Sequence, residues 1–501
     1  MKVKIIAAVI VSALFTFSCT DLNEELYDKV EDGNFGNTPN EIEALVGGAY
    51  SSLRGFADGI SNSYPTCEYV FFLNEVASDE ATIPTRGTDW YDGGRYQDVQ
   101  RHVWRADNGM ILSAWRYCYA GIAKVNSIIY QIDKSGLSNE AKAPIYAELK
   151  SIRAYYYYLL LDMFGNVPIV TSFEDQSLPS NSTREEVYNF VESELLAAVP
   201  HLRPNVVYSK FTKNVAYSLL ARLYLNSEVY IGRARWQDCI DMCQNVTGHS
   251  INNDYFANFA TENQGSNEIV LSIPYDSKAG TVGNYLSSMS CHYLQRFAVS
   301  PTGDYPWSAN GISAQPGVYS TFADNDKRKK SMIEGDQINL STGSVIVMDS
   351  GEPLTYTENI VDFTNAKQNE GVRLGKYEMK AGEQWERSHD WVLIRYSEIL
   401  MMQAECYVRL GSPGLAAPFV QQITSRAGTE MPAVIDLNFI DKELLREFVF
   451  EGRRRTDNIR FGTFFQPWWE KGATPNYRKI YPIPTAVLTT NTNLDQNFGY
   501  F

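Results

Sequence analysis

Apolar positions recur at three- and four-residue intervals over much of this chain, the spacing that places them on one face of a helix. Ile145, Leu149, Ile152, Tyr156, Leu159 and Met163 form one such stripe. Gly165 then supplies a C-cap and Pro168 a stop. Thr183 and Glu186 have the spacing of a capping box. Val187, Val191, Leu195 and Ala198 follow as the apolar face until Pro200. The same pattern predicts helices over residues 212–227, 236–243, 391–410, 415–426 and 438–455. Paired helices joined by short turns predict hairpins stacked side by side, without a fixed-period repeat.

Two blocks break the pattern, residues 60–108 and 246–389. Gly, Pro, Asn and Ser rise there, and short alternating runs at 268–273 and 344–348 read as strands or extended loops. The expected fold is therefore mainly α. It is an irregular helical-repeat scaffold of hairpins over 109–245 and 390–501, with long loop-rich insertions and a few short strands. No composition break divides the chain, so one domain is expected over residues 19–501. Long loops on a rigid frame are where binding usually resides.

Composition narrows the partners. Aromatic residues make up 13% of the chain, enough to fill a core and still furnish flat binding surfaces. The formal net charge is −15 with no offsetting Lys/Arg stripe, which argues against nucleic acid and anionic lipid headgroups. A neutral or neutral-to-basic ligand fits better. Cys67, Cys118, Cys239, Cys243, Cys291 and Cys406 match no zinc spacing, and buried free thiols are the expectation.

Residues 1–18 read as a signal peptide. Lys2 and Lys4 precede an apolar run, Ile5 to Phe17, that is too short to span a bilayer stably. Ser18 before Cys19 resembles a bacterial lipobox, although Thr16 and Phe17 depart from its strict form. Cys19 is then the lipidated residue. The acidic residues Asp21, Glu24 and Glu25 just past it resemble a surface-export signal and also suit a solvated tether.

The carboxy-terminal stretch holds Tyr481-Pro482-Ile483-Pro484, then Asn491, Asn493-Leu494, Gln496-Asn497 and Gly499-Tyr500. The prolines make it extended, and a tail this specific is expected to dock on the body. It resembles the end of the SusD/RagB family, the glycan-capturing outer-membrane lipoproteins of Bacteroidetes. Glu148 to Tyr158 running on to Phe164-Gly165-Asn166-Val167-Pro168 is similar to that family's internal signature. So are Arg395 to Leu400 with Ala404-Glu405, and Phe450-Glu451-Gly452-Arg453-Arg454. Thr456 departs from the family, which has a large aromatic there. The resemblance implies a SusD-like fold with a TPR-like helical scaffold, an oligosaccharide or polysaccharide ligand, and a SusC-like TonB-dependent transporter as partner. It also implies lipid anchoring in the outer membrane, facing the exterior. No cofactor is expected. A structural calcium occurs in this family, but no acidic loop here has EF-hand spacing.

Sugars present apolar C–H faces ringed by hydroxyls, which proteins grip with flat rings and planar polar groups. Residues 84–96, PTRGTDWYDGGRY, place Trp90 and Tyr91 in a Gly-rich loop beside Arg86, Asp89, Asp92 and Arg95, with Asp79 upstream. Residues 304–311, DYPWSANG, place Trp307 in a similar polar setting. His292, Tyr293 and Gln295 form a third candidate group. The resemblance implies an aromatic arc drawn from these two loop blocks, with Trp90 and Trp307 as its counterparts. Trp104 and Trp115 read as core. Glu447, Glu451 and Arg454 sit at helical spacing and read as structural ion pairs along one face.

Two other classes remain open. A glycoside hydrolase needs two carboxylates flanking a sugar cleft, and nothing singles out such a pair. The five histidines lack metal spacing, and there is no H-E-x-x-H, G-x-S-x-G or P-loop. A structural adhesin would need no concave aromatic site.

Overall fold

The structure, a computed structural model, describes residues 38–55, 68–204, 206–279, 284, 286–383 and 387–500. The signal segment, Cys19 and Cys67 lie outside the described residues. Helices of eight residues or more are numbered in chain order: α1 Pro39–Ser52, α2 Glu68–Glu75, α3 Gly109–Lys134, α4 Asn139–Met163, α5 Arg184–Ala198, α6 Lys213–Leu225, α7 Trp236–Gln244, α8 Tyr396–Arg409, α9 Pro413–Ala427, α10 Leu437–Phe448 and α11 Arg454–Phe461.

Each helix from α3 to α8 packs on the next numbered helix, ending with α8 on α9. That includes α7 on α8, although about 150 residues separate them. The second insertion is thus looped out of a continuous helical stack. The stripe read from the sequence lies on α4, whose N-cap Ser138 accepts from the Ala141 N–H. Gly165 ends it in the left-handed region at φ 72°. The four tyrosines Tyr155–Tyr158 are all buried, so this helix is enclosed on every side over its C-terminal half, while its first turn is exposed. The α3–α4 contact is close because Gly121 has no side chain. A Cβ there would stand 2.2 Å from the Tyr156 ring. The capping box at Thr183 forms as the spacing predicts.

Two helix boundaries differ from the expectation. Residues 391–410 are not one helix: Trp391–Arg395 is a strand paired antiparallel with Ile269–Ile273. Its run of aromatic and β-branched residues finds a partner strand, and that pairing overrides the helical period. Residues 438–455 break at 449–453, where Phe450 takes φ 60° and Gly452 φ 76°. Two buried carboxylates replace the lost helical acceptors. Glu80 accepts from Phe450 N–H at 2.5 Å, and Glu75 from Gly452 and Arg453 N–H at 2.5 and 3.0 Å. The first insertion is also less loop-like than expected, since it contains α2 and a short helix, Arg95–Gln100. Residues 344–348 form isolated bridges rather than a strand.

Glu447, Glu451 and Arg454 are structural, but they do not pair along one face. Glu447 meets Arg395, Arg426 and Arg328. Glu451 meets Arg395 and Lys376, and Arg454 meets Asp79 and Asp441. These buried charges tie strand, insertion and helices together, which requires nearly every donor to find an acceptor. The tail docks on α4: Tyr481 N–H donates to Met163 O at 2.7 Å, and Asn497 Nδ2 to Phe164 O at 2.7 Å. Trp104 and Trp115 are core. Cys118 is buried, and Cys239, Cys243, Cys291 and Cys406 are buried free thiols.

Candidate functional site

A two-residue strand in each insertion brings the aromatic loops together. Ala81–Thr82 pairs antiparallel with Ser313–Ala314, in register Ala81 with Ala314 and Thr82 with Ser313. The chain leaving the first strand and the chain entering the second therefore run side by side.

The first loop is tightly turned. Arg86 and Asp89 exchange both main-chain hydrogen bonds, at 3.0 and 3.1 Å, around Gly87 at φ 65°. Trp90 and Asp92 then take φ 63° and 41°, followed by Gly93 and Gly94 at 71° and 82°. Positive φ is strained for a side-chain-bearing residue, and such strain concentrates at binding sites. The Trp90 indole N–H donates to Ala309 O at 2.7 Å. Its six-membered ring lies against Gly311, where a Cβ would come within 2.3 Å.

The second loop is pinned on both sides of Trp307. Tyr305 and Ser308 are buried, and Ala309, Asn310 and Gly311 donate from their main chain to Ser288, Cys291 and Met289. Between these anchors Trp307 is left 57% exposed. Tyr293 completes the surface. Its ring lies 3.8 Å from that of His292, whose Nδ1 accepts from Leu294 N–H. Burial, helped by the charges of Arg373 and Arg86, pushes the His292 pKa down to about 3, so the ring beneath Tyr293 is neutral.

Trp90, Trp307 and Tyr293 line one open hollow of about 310 Å³. Asp89, Asp92 and Asn310 supply its polar wall, and Arg95 and Tyr96 also face it. The hollow is large enough for a sugar residue and open enough for a chain to continue past it. Arg95 is partly occupied: its Nη2 pairs with Asp92 at 3.5 Å and donates to Tyr96 Oη at 2.8 Å, its guanidinium lies over the Tyr96 and Tyr69 rings, and its Nε is buried without an acceptor.

Not every expected residue is there. Tyr91 is 55% exposed on the same loop but does not line the hollow. Arg86 is fully buried, and its guanidinium donates to the carbonyls of Asn310, Gly311, Glu370 and Lys367. It holds the loops together from behind and offers nothing to a ligand. Asp79 is turned toward Arg454, which it meets through both carboxylate oxygens at 2.7 and 3.0 Å. Asn310 was not singled out from sequence, although an Asn-Gly pair in a loop signals the turn it makes at φ 52°. Among the described residues, no group of three His, Cys, Asp or Glu side chains could hold a metal ion.

Comparison with known proteins places the whole chain. The family described as "Starch-binding associating with outer membrane" matches residues 61–225. The starch-binding protein SusD of Bacteroides thetaiotaomicron is 26% identical, with 89% of this chain and 88% of that protein covered. SusD-like protein P2 of Formosa agariphila is 24% identical, with 98% of each covered. A solved laminarin-binding SusD-like protein superposes with a TM-score of 0.76 at 21% identity, over 93% of this chain and all of that one. Surface glycan-binding protein A from Bacteroides thetaiotaomicron, in complex with laminarihexaose, gives 0.75 at 20% identity, over 92% and 99%. SusD, the laminarin-binding protein and surface glycan-binding protein A are named as binding proteins, not as enzymes. The SusD family model itself matches residues 235–500, more than half of the sequence, and this chain belongs to the SusD family.

Proposed function

We propose that this protein captures glycan at the outer membrane surface, through the hollow lined by Trp90, Trp307 and Tyr293, without cleaving it. The observation that carries the reading is the convergence of rings from two distant loop blocks on one open hollow, on the fold of a glycan-binding family. Each stacked ring contributes about 1–2 kcal/mol, from area burial and ring contact, so two or three suffice for useful capture. Asp89 and Asp92 supply acceptors for sugar hydroxyls, while Asn310 beneath them is buried, its amide held by Gln368 and Arg373.

The proposal extends to delivery. Lipidation at Cys19 would hold the protein on the outer membrane, facing the exterior, and the captured oligosaccharide would pass to a SusC-like TonB-dependent transporter. Both steps rest on the family and on the lipobox-like start of the chain. Glycan-array binding with a parallel reducing-end assay tests the central claim. Binding without new reducing ends supports capture. Rising reducing ends would make the protein a hydrolase, and silence on every glycan would favour an adhesin. Co-purification with the transporter, and its loss in a Cys19→Ala variant, tests delivery.

A further inference from the structure

The charge lining the hollow is predominantly negative where a ligand would touch it. Asp89 and Asp92 line it directly. Asp349 acts on the Tyr293 ring as well: burial first, then the Asp349 and Asp89 carboxylates, push the Tyr293 phenol above its ordinary value. Asp89 and Asp349 are both exposed. The cation on the wall, Arg95, is engaged by Asp92, Tyr96 and two aromatic faces. Arg86 and Arg373 lie behind the loop, but both are buried and donate chiefly to main-chain carbonyls. Their N–H groups face the protein.

We infer that this hollow selects uncharged, hydroxyl-rich glycan and rejects chains bearing uronate or sulfate groups. The inference rests on the capture reading above and names its ligand class. A carboxylate is an acceptor only, so Asp89 and Asp92 are matched by the hydroxyl donors of a neutral sugar. The carboxylate group of a uronate, or a sulfate group, is itself acceptor-only and brings charge of the same sign to that wall. The overall charge of −15 repels such a chain before it arrives, in a way that salt screens.

The test starts from an array carrying neutral and acidic polysaccharides. It then compares a bound neutral hexaose with the same hexaose oxidised at its 6-hydroxyls to carboxylates. The expected result is about tenfold or greater weakening on oxidation, narrowing in about 0.5 M salt where charges are screened beyond a few Å. An Asp89→Asn/Asp349→Asn double variant should also narrow the ratio, by about threefold or more. The wild-type salt series stands on its own if that variant folds poorly. Equal or tighter binding of the oxidised chain overturns the inference while leaving capture standing. So does a gap that ignores both salt and the substitutions. Silence toward every glycan overturns the capture reading and this inference with it.

Discussion

The Trp90 indole N–H donates to the carbonyl oxygen of Ala309, 2.7 Å away and 219 positions along the chain. One side chain therefore does two jobs: it presents a ring to the hollow and fastens one insertion to the other. Trp307, in the same hollow, is not fastened in this way and stands mostly in solvent. The two tryptophans should consequently respond differently to removal.

Trp307→Ala should weaken glycan binding by about 1–2 kcal/mol, roughly five- to thirtyfold in Kd, and leave the melting midpoint nearly unchanged. Trp90→Ala should weaken binding at least as much and also destabilise the fold by roughly 2–4 kcal/mol, because a half-buried ring and its hydrogen bond are lost together. Calorimetric titration paired with thermal melts separates the two. Unchanged affinity in both variants would remove the hollow from consideration as the binding site.

Gly311→Ala reaches the same ring without touching it chemically. The added Cβ would stand 2.3 Å from the Trp90 ring and 2.9 Å from Met289 O, so ring or main chain must shift. Overpacking of this kind costs about 1–3 kcal/mol. Tryptophan emission should change and affinity fall. Native emission with native affinity would mean that Trp90 is not seated against Gly311.

Arg86 is the sharpest departure from a reading by local composition. Its neighbours in sequence are polar, so it reads as a rim residue, yet its acceptors sit at positions 310, 311, 367 and 370. Replacing it by methionine, of similar size, strands those buried carbonyls and should cost roughly 3–5 kcal/mol in denaturant unfolding. A ligand-contact role would show the opposite pattern: lower affinity with the unfolding midpoint in place.

The same contrast explains what was legible beforehand. The apolar stripes of α4 and α5 are local, as are their caps, and both helices form as their spacing dictates. Trp90 and Trp307 could be picked out because a large ring between Gly, Asp and Ser has no local core to enter. Asp79 could not be placed, since its partner Arg454 is 375 positions away. The break at 449–453 was hidden for the same reason. Phe450 and Gly452 leave the helix for acceptors on Glu80 and Glu75, which no periodicity in 438–455 records.

That pair of glutamates gives the chain a pH dependence of unusual sign. Both are fully buried, and each carboxyl group shifts the other's titration. Burial raises the Glu75 pKa to about 7. Burial and then the Glu75 charge raise that of Glu80 well above the carboxylate range. A carboxyl group with a raised folded pKa binds more protons folded than unfolded, so stability falls as pH climbs from about 4.5 through 7. The buried His292 and His389, depressed to about 3 and about 4 chiefly by burial, act oppositely below about 6.5. The comparison must therefore be differential. Glu75→Gln keeps an oxygen for the Gly452 and Arg453 N–H groups and can donate to Glu80, mimicking the protonated acid. Its stability relative to wild type should rise steadily between about pH 5 and pH 8 in denaturant unfolding. Parallel curves across that range would show that the two carboxyl groups do not hold a proton between them, and that the turn at Phe450 rests on ionised glutamates instead.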